Sequence, residues 1–331
     1  MSMERVTLVI PGRNCRGTIR QCLDAMVPIL SDPAARLEEI IFVDDGSTDD
    51  TAEIVQGYPV RLVRGTGAGR GAARNLGWQE VRTPLVWFVD SDCVAEPNAL
   101  VRLLPHMDDP KVGGVSGSYG IMNPESLLAC MIHEEIIERH LRMGTRVDFL
   151  ATFNVLYRKE ALERVGGFDE KYLRAQDAEL SFRVQAAGYE LHFELNSRVK
   201  HYHSTRWLRY LRAQREQGYW RVWLHLAYPR HNKGDSYSGL TDHMQPPLAM
   251  VSLVGLLLVL VPGVRWLAAV PFVLLGVAQV PLTLRLVRRL GQTRYLVFGV
   301  MSAVRAYWRG IGMSLGVLAY LRKRGKDSGG G

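Results

Sequence analysis

Short apolar segments alternate with helix-forming segments in the N-terminal part of the chain, and this alternation constrains the fold more than any other feature. The apolar segments predict four buried strands, at Val6–Ile10, Ile40–Val43, Val60–Val63 and Leu85–Val89. Helical spacing or capping residues lie between them, over residues 18–30, 50–56 and 72–81. Strands joined by helices through short loops form a parallel sheet with right-handed crossovers. The sequence therefore predicts an α/β domain with a Rossmann-like, mostly parallel sheet.

Polar residues follow three of these strands at the point where each strand ends. They lie at Pro11–Asn14, Asp44–Asp49 and Asp90–Asp92. Ligands bind at the carboxyl ends of the strands in such sheets, so we expect the three clusters to line one crevice. Asp90 and Asp92 stand at i and i+2, so in an extended chain their carboxylates point to the same side. Such a pair suits Mg²⁺ or Mn²⁺ that also holds a diphosphate, although two solvated acids in a loop would have the same sequence.

A glycine-rich segment, Gly65–Gly71, is similar to a dinucleotide-binding loop. It follows the third predicted strand rather than the first, and a lone run of glycines is a weak signal. A tight turn, or a close approach of the backbone to a nucleotide, explains the glycines as well.

Six segments stand out along the chain: Val9–Pro11, Val43–Asp49, Ala73–Asn75, Phe88–Asp92, Gly166–Glu170 and Gln176–Arg183, the last followed by Ala187–Tyr189. Taken in order, they resemble the signatures of family 2 glycosyltransferases of the GT-A fold. Each segment alone is common, but six in the right order and spacing are specific. The resemblance covers about residues 4–205 and implies a GT-A catalytic domain.

The resemblance implies an inverting, metal-dependent transfer of a sugar from a nucleotide-sugar. It makes Asp92 the principal ligand of an Mg²⁺ or Mn²⁺ ion, with Asp90 at the nucleotide–metal end and His201 as a further ligand. His203 is a weaker candidate for the same role. The nucleotide-sugar is assigned to Pro11, Arg13, Asn14, Asp44, Asp45, Arg74 and Asp90. Asp177 would then be the general base that takes the proton of the acceptor.

The sequence departs from the family at the residue before the base. The family usually has an acid there, and this chain has Gln176. The amide can donate to an acceptor hydroxyl or orient Asp177, and the loss of a like charge lowers the pKa of Asp177 relative to a Glu–Asp pair. Asp177 could instead merely cap the helix that follows. The missing acid also leaves open a different function, a catalytically silent nucleotide-sugar-binding membrane scaffold.

Residues Leu127–Leu141 predict a helix that carries one histidine and three acids. These residues are His133, Glu134, Glu135 and Glu138. The group could bind a metal, but a solvated helix face is the interpretation that we favour.

Basic and aromatic residues dominate the chain beyond His203. The formal net charge is +8, and Arg198–Lys233 holds nine Lys and Arg against one acid, Glu216. Trp207–Tyr228 interleaves aromatic rings with arginines at helical spacing, which is typical of a helix at a membrane surface. No nucleic-acid-binding motif accompanies this charge, so we expect membrane lipids as partners and no nucleic acid. The four cysteines have no metal or disulfide spacing.

Two apolar runs, Pro247–Val264 and Trp266–Leu284, are each near the length of a membrane span. Together they predict a helical hairpin with both ends on one side. Basic residues flank those ends, whereas the joining loop has only Arg265, so the positive-inside rule places the catalytic domain on the cytoplasmic face of the cell membrane. Tyr295–Leu321 is also apolar but carries two arginines in its middle, so we expect it to lie along the interface.

These predictions divide the chain into five segments. They are a catalytic domain (1–205), a basic, aromatic interfacial region (206–245), a transmembrane hairpin (246–285), a C-terminal interfacial helical segment (286–325) and a flexible tail (326–331). The expected function is transfer of a sugar from a UDP- or GDP-sugar to a polyprenyl phosphate or lipid-linked glycan, in cell-envelope glycan or glycolipid synthesis. A polysaccharide synthase is a further alternative, but it would need more spans, and the Gln-x-x-Arg-Trp motif is absent.

Overall fold

The computed structural model describes residues 4–229 and 236–328, and it divides into two compact units. The sheet unit comprises Met1–Pro124 and Arg139–His203, and the helical unit comprises Glu125–Glu138 and Ser204–Gly331. No sequence pattern predicted that residues 125–138 would group with the C-terminal helices. Two residues of the predicted basic segment, Arg230 and Lys233, lie outside the described residues. So do residues 329–331 of the predicted tail.

The sheet unit is built on one nine-stranded sheet. Its strands are β1 Val6–Gly12, β2 Leu37–Asp44, β3 Arg61–Arg64, β4 Leu85–Val89, β5 Cys93–Ala95, β6 Val112–Ile121, β7 Arg146–Val147, β8 Asn154–Arg158 and β9 Glu190–His201. Their order is β3-β2-β1-β4-β8-β6-β9-β5, with β7 paired to β9. The first four strands are parallel, as are β6 and β9, whereas β5, β7 and β8 run antiparallel to their neighbours. The predicted α/β fold on a Rossmann-like sheet is confirmed.

Side chains of the central strands alternate between two apolar cores on opposite faces of the sheet. Leu8 of β1 belongs to one core with α1 (Ile19–Met26), and Val9 belongs to the other with α3 (Arg70–Gln79). Because both faces are covered, such strands are apolar at nearly every position, and the sequence shows them clearly. The other helices of this unit are α2 Thr51–Gln56, α4 Ala99–Leu103, α6 Lys159–Val165 and α7 Gln176–Ala186, with 3-10 helices at Val27–Ser31 and Leu104–Asp108.

Strand β9 is longer than the short strand predicted near Leu191–Glu194. It has 12 residues and runs to His201. Glu194 pairs with Gly117 of β6, while the next paired residue of β9 is Arg198, so the three residues between them bulge out. A bulge interrupts the two-residue alternation by which a strand is visible in a sequence. The extension matters because it carries His201 into the edge of the sheet beside β5.

The helical unit contains long helices. They are α5 Leu127–His140, α8 Trp207–Ala227, α9 Leu240–Gly255, α10 Val270–Leu290 and α11 Val297–Ser328, with 3-10 helices at Leu256–Leu260, Arg265–Ala269 and Thr293–Leu296. Helix α8 coincides with the predicted aromatic, basic helix, and α11 extends to Ser328, into the segment predicted as a tail. Helices α8 and α11 approach closely at glycines. A Cβ atom on Gly218 would overlap the Arg309 carbonyl, and one on Gly312 would overlap the Arg215 carbonyl.

The acids of α5 do not form a solvated face, so that prediction is wrong. Glu135 and Glu138 are buried. Glu135 pairs with Arg305 of α11, and both side chains are almost fully buried. Glu138 accepts a hydrogen bond from Arg289 of α10 at 2.6 Å. The charges of these acids are compensated by arginines of other helices in the same unit, so the acids can be buried away from solvent. The same pairing satisfies one of the two charges in the middle of α11.

Two helical segments of the described chain are long and apolar enough to cross a membrane. They are Thr241–Leu260 and Arg265–Leu290, which overlap most of the two predicted apolar runs. In the most apolar stretch of each segment, only 17% and 22% of the residues, respectively, are buried. A core helix of a soluble protein would be mostly buried, so exposed apolar faces of this extent favour contact with a lipid or another apolar surface.

Removal of one partner of the Glu135–Arg305 pair should destabilise the helical unit. Glu135→Gln leaves the charge of Arg305 buried without its counter-charge, which costs about 3–5 kcal/mol. A double variant, Glu135→Gln with Arg305→Met, removes both charges and should recover much of that loss. Thermal unfolding of the detergent-solubilised chain, followed by circular dichroism, measures both effects.

The matched control is Glu163→Gln, which breaks the more exposed pair between Lys159 and Glu163 on α6 and should shift the midpoint little. Equal midpoints for the wild type and Glu135→Gln would contradict the importance of the buried pair.

Candidate active site

The loops after β1 and β2 are bonded to each other at the carboxyl edge of the sheet. Pro11 is buried in β1, opposite Val43 of β2. Asn14 has a left-handed backbone conformation, with φ 51°, and its Oδ1 accepts the Thr48 N–H at 2.8 Å. The Asn14 N–H donates to Ser47 Oγ at 2.9 Å. The first two predicted polar clusters therefore meet in space.

Asp44 and Asp45 are both buried and hold the backbone of the surrounding loops. Asp45 accepts the Gly67 N–H at 3.0 Å on one oxygen and the Gly69 N–H at 2.9 Å on the other. These glycines have φ values of 81° and 108°, which favour glycine. Asp44 Oδ1 accepts a backbone N–H of its own turn at 2.9 Å, and Arg13 donates to the Gly67 carbonyl at 3.5 Å. The glycine-rich segment is thus a turn folded around Asp45.

Arg74, on α3, links the loop after β4 to the start of α7. Its Nη2 donates to Asp90 Oδ1 at 2.7 Å, and its Nη1 donates to Gln176 Oε1 at 3.4 Å. The guanidinium lies 5.6 Å from the centroid of the Phe168 ring. Arg74 is only 3% exposed, and its Nε is buried without a hydrogen-bond partner in the described part of the chain. Two predicted site segments, at Asp90 and at Gln176, are therefore joined through one buried charge.

Gln176 is buried and uses both ends of its amide. Its oxygen accepts from Arg74, and its nitrogen donates to the Tyr172 carbonyl at 2.5 Å. The preceding residue, Ala175, has a left-handed conformation with φ 61°. A carboxylate at position 176 could pair with Arg74 but could not donate to the Tyr172 carbonyl, so the amide suits this local geometry.

Asp177 and Glu179 differ in their surroundings, although both lie in the first turn of α7. Glu179 is 1% exposed, and its two oxygens accept from Arg183 at 2.6 and 2.5 Å. Asp177 is partly buried, and its Oδ1 accepts the Ala178 N–H at 2.9 Å. Burial raises the pKa of Asp177, and the Ala178 N–H and the charge of Arg74 offset this only in part. Glu179 is committed to an ion pair with Arg183, whereas Asp177 has none with the residues that the structure describes.

Asp92 and His201 meet at the edge of the sheet, and their Oδ2 and Nε2 atoms are 3.4 Å apart. The cause is the antiparallel pairing of β5 with β9, in which Cys93 lies opposite His201. Asp90 is not in this cluster, since its Oδ1 accepts from Arg74. His203 is not in it either, and its backbone is hydrogen-bonded to Asn123.

The Asp92–His201 pair fits a divalent cation. Two neighbouring ligands of an octahedral ion, each at about 2.1 Å, lie roughly 3.0 Å apart, close to the observed separation. His201 Nδ1 is buried and lacks a hydrogen-bond partner in the described residues, so the polar contacts of the ring are incomplete. Burial raises the pKa of Asp92, but the hydrogen bond and charge of His201 outweigh it and lower that pKa. Asp92 in turn raises the pKa of His201 against the effect of burial.

Sequence reasoning missed two residues near these groups, Asn75 and Cys93. Asn75 holds the loop before α7, because it donates to the Phe168 carbonyl and accepts the Phe168 N–H, both at 2.8 Å. Its place in the segment Ala73–Asn75 was the only signal. Cys93 is fully buried, and its sulfur donates to Asp92 Oδ1 at 3.8 Å. Nothing in the spacing of the cysteines indicated this contact.

Known proteins resemble the chain in sequence and in fold. It is 34% identical over 208 residues to the probable glycosyltransferase YdaM of Bacillus subtilis, which covers 58% of this chain and 49% of that protein. It is 30% identical over 219 residues to the pre-mycofactocin glycosyltransferase of Mycobacterium tuberculosis, covering 62% and 44%. The chain therefore spans about half the length of these curated relatives.

A solved structure extends the likeness over most of the chain. The mannosyltransferase PcManGT of Pyrobaculum calidifontis, in complex with GDP-Man and Mn²⁺, aligns with a TM-score of 0.60 at 19% identity. The alignment covers 95% of this chain and 88% of that chain. Residues 7–166 also match the family described as glycosyl transferase family 2. Residues 7–166 are therefore a family 2 glycosyltransferase domain, and the fold is of the GT-A type.

Proposed function

We propose that the chain is an inverting, metal-dependent glycosyltransferase that uses a UDP- or GDP-sugar. The observation that carries the proposal is the link through Arg74 between two chemically different groups. Asp92 and His201 form a close pair near Asp90 that fits a cation, and Asp177 is a carboxylate next to Gln176. Inverting transfer needs a cation that offsets the negative charge of the leaving diphosphate, and a base that takes the proton of the incoming hydroxyl.

On the donor side, Asp92 and His201 would hold Mg²⁺ or Mn²⁺. The bound ion would offset the negative charge that develops on the leaving diphosphate. Asp90, fixed by Arg74, would support the nucleotide–metal end. The nucleoside would lie against the loops that carry Pro11, Arg13, Asn14, Asp44 and Asp45. The structural relative in complex with GDP-Man and Mn²⁺ supports a nucleotide-sugar and a divalent cation here.

On the acceptor side, Asp177 would take the proton of the attacking hydroxyl as the new bond forms. Burial raises its pKa, which brings a carboxylate nearer to the range in which general bases work at neutral pH. Gln176 would position the first turn of α7 through Arg74 and Tyr172 rather than contact the acceptor. Glu179 cannot share the role of base while it is paired with Arg183.

The acceptor would be presented by a membrane, as a polyprenyl phosphate or a lipid-linked glycan. Two observations support this: the exposed apolar segments Thr241–Leu260 and Arg265–Leu290, and the arginines and aromatic rings of α8. By the positive-inside rule, the basic residues that flank these segments support a cytoplasmic position for the sheet unit. Helix α11 would lie along the interface, and the product would enter cell-envelope glycan or glycolipid synthesis.

Asp92→Ala should abolish metal-dependent nucleotide binding without unfolding the chain. The Asp92 side chain is 45% exposed, so its loss leaves no large cavity. We expect affinity for UDP or GDP in the presence of Mn²⁺ to fall at least about tenfold, in line with the loss of a metal ligand. Isothermal titration calorimetry measures the change. Asp24→Ala, an exposed acid on α1, is the control and should bind normally. Unchanged binding by Asp92→Ala would remove Asp92 from the metal site.

Asp177→Asn should lower the rate of sugar transfer by about 10²- to 10⁴-fold, because a positioned general base contributes that much. Donor binding, measured by calorimetry, should change little. The scaffold alternative makes a different prediction: wild-type protein would bind nucleotide-sugar without transferring or hydrolysing it. Glu163→Gln serves as the charge-matched control and should keep its full rate.

The pH dependence of the wild type tests the same role. Asp177 must be deprotonated to act, and burial raises its pKa. The rate should therefore fall on acidification at a pH above the ordinary range of an aspartate, and this acidic limb should vanish in Asp177→Asn. A profile that stays flat down to the ordinary aspartate range would contradict the proposal.

Cysteine labelling in intact cells tests the topology. Val264→Cys lies at the end of the first predicted apolar run, next to Arg265 of the joining loop, and should react with an impermeant thiol reagent added outside. Arg322→Cys, near the end of α11, should react only after the cells are opened. Unmodified protein gives the background from the four native cysteines. Outside labelling at position 322 would instead support a third span through α11.

A further inference from the structure

Three different types of ligand atom converge at the start of β5. A carboxylate oxygen of Asp92, the sulfur of Cys93 and a ring nitrogen of His201 all lie within 4.8 Å of one another. Within residues 4–229 and 236–328, no other histidine, cysteine and acid side chains form such a group. Cys93 therefore stands as a third potential ligand beside the two residues to which the proposed function assigns a cation.

The position of Cys93 is fixed by the sheet. Cys93 and His201 are directly opposite in the antiparallel pair of β5 and β9, so their side chains leave the sheet on the same face. Asp92 Oδ2 lies 3.4 Å from His201 Nε2, and Asp92 Oδ1 lies 3.8 Å from the Cys93 sulfur. Ligand atoms around a tetrahedral ion with bonds of about 2.0–2.3 Å are roughly 3.3–3.6 Å apart. Small side-chain movements therefore suffice for all three atoms to reach one ion.

These three donors together prefer different metal ions from those that a site lined only by oxygen atoms prefers. Mg²⁺ and Mn²⁺ favour carboxylate and water oxygens, whereas sulfur with imidazole favours Zn²⁺ and Co²⁺. Asp90 would have supplied a second carboxylate, but its Oδ1 is bonded to Arg74. The sulfur of Cys93 is the third donor of the cluster, and sulfur shifts the preference of the site towards thiophilic ions.

We propose that Asp92, Cys93 and His201 bind a divalent cation of the zinc class, with the thiol proton released to solvent and one coordination position open to water or a donor oxygen. The proposal rests on the proposed function, because this ion and the Mg²⁺ or Mn²⁺ ion share Asp92 and His201. Zinc-class ions therefore compete with Mn²⁺ at the site, and Cys93 determines how strongly they do so.

Cobalt titration of the full chain in detergent tests the ligand set. Co²⁺ bound by a thiolate gives an intense sulfur-to-metal charge-transfer absorption in the near ultraviolet, with visible bands typical of tetrahedral coordination. The wild type should show both, and Cys93→Ser should lose the charge-transfer absorption. Cys22→Ser is the matched control, because Cys22 is equally buried in the same core but is not in the cluster. Charge-transfer absorption that is absent in the wild type, or retained in Cys93→Ser, would overturn the proposal.

Competition between ions provides a second measurement that does not depend on transfer activity. Free Mn²⁺ has a sharp electron paramagnetic resonance signal, which weakens when the ion binds. Added Zn²⁺ should release Mn²⁺ from the wild type, and Cys93→Ser should need at least about tenfold more Zn²⁺, since even an outer-shell partner contributes that much to affinity. Equal Zn²⁺ requirements would exclude Cys93 as a ligand.

If Mn²⁺-dependent nucleotide binding persists while both tests of Cys93 fail, only this inference fails. If Asp92→Ala also binds nucleotide normally, the proposed metal site fails with it.

Discussion

One buried guanidinium joins parts of the sheet unit that are far apart in the chain. Arg74 of α3 is bonded to Asp90 after β4 and to Gln176 at the start of α7, and Phe168 packs near its face. An arginine this deeply buried is costly unless its charge and its N–H groups are satisfied. The positions of α3, the loop after β4 and α7 therefore depend on one another. The arrangement of the candidate site follows from this shared requirement rather than from any single loop.

The N-terminal half of the sheet could be predicted from sequence because its strands are buried on both faces. The predicted segments at Val6–Ile10 and Leu85–Val89 lie within β1 and β4, and the parallel order placed the polar loops at one edge. The encounter of Cys93 with His201 could not be predicted, since it depends on the register between β5 and a bulged strand far along the chain. Local patterns carry no information about such a register.

The helical unit shows a second limit of the same kind. A row of acids on a helix normally indicates a solvent-exposed helix face, and arginines inside an apolar segment normally indicate a helix at the membrane interface. Both rules treat each segment alone. Glu135 and Arg305 instead satisfy each other within the unit, and Glu138 is satisfied by Arg289. The prediction of a solvated face for the acids was wrong because their partners lie in segments that the sequence does not connect.

The close approach of α8 and α11 has a consequence for how relatives of this chain can be recognised. A side chain at Gly218 or Gly312 would strike the backbone of the opposite helix, and Gly316 is nearly as constrained by Tyr219. Any relative that keeps this helix pair must keep very small residues at all three positions together. The two curated relatives align with 58% and 62% of the chain. The three glycines thus provide a marker of this helix pair that is independent of the catalytic motifs, and it could separate proteins that share the helical unit from proteins that share only the transferase domain.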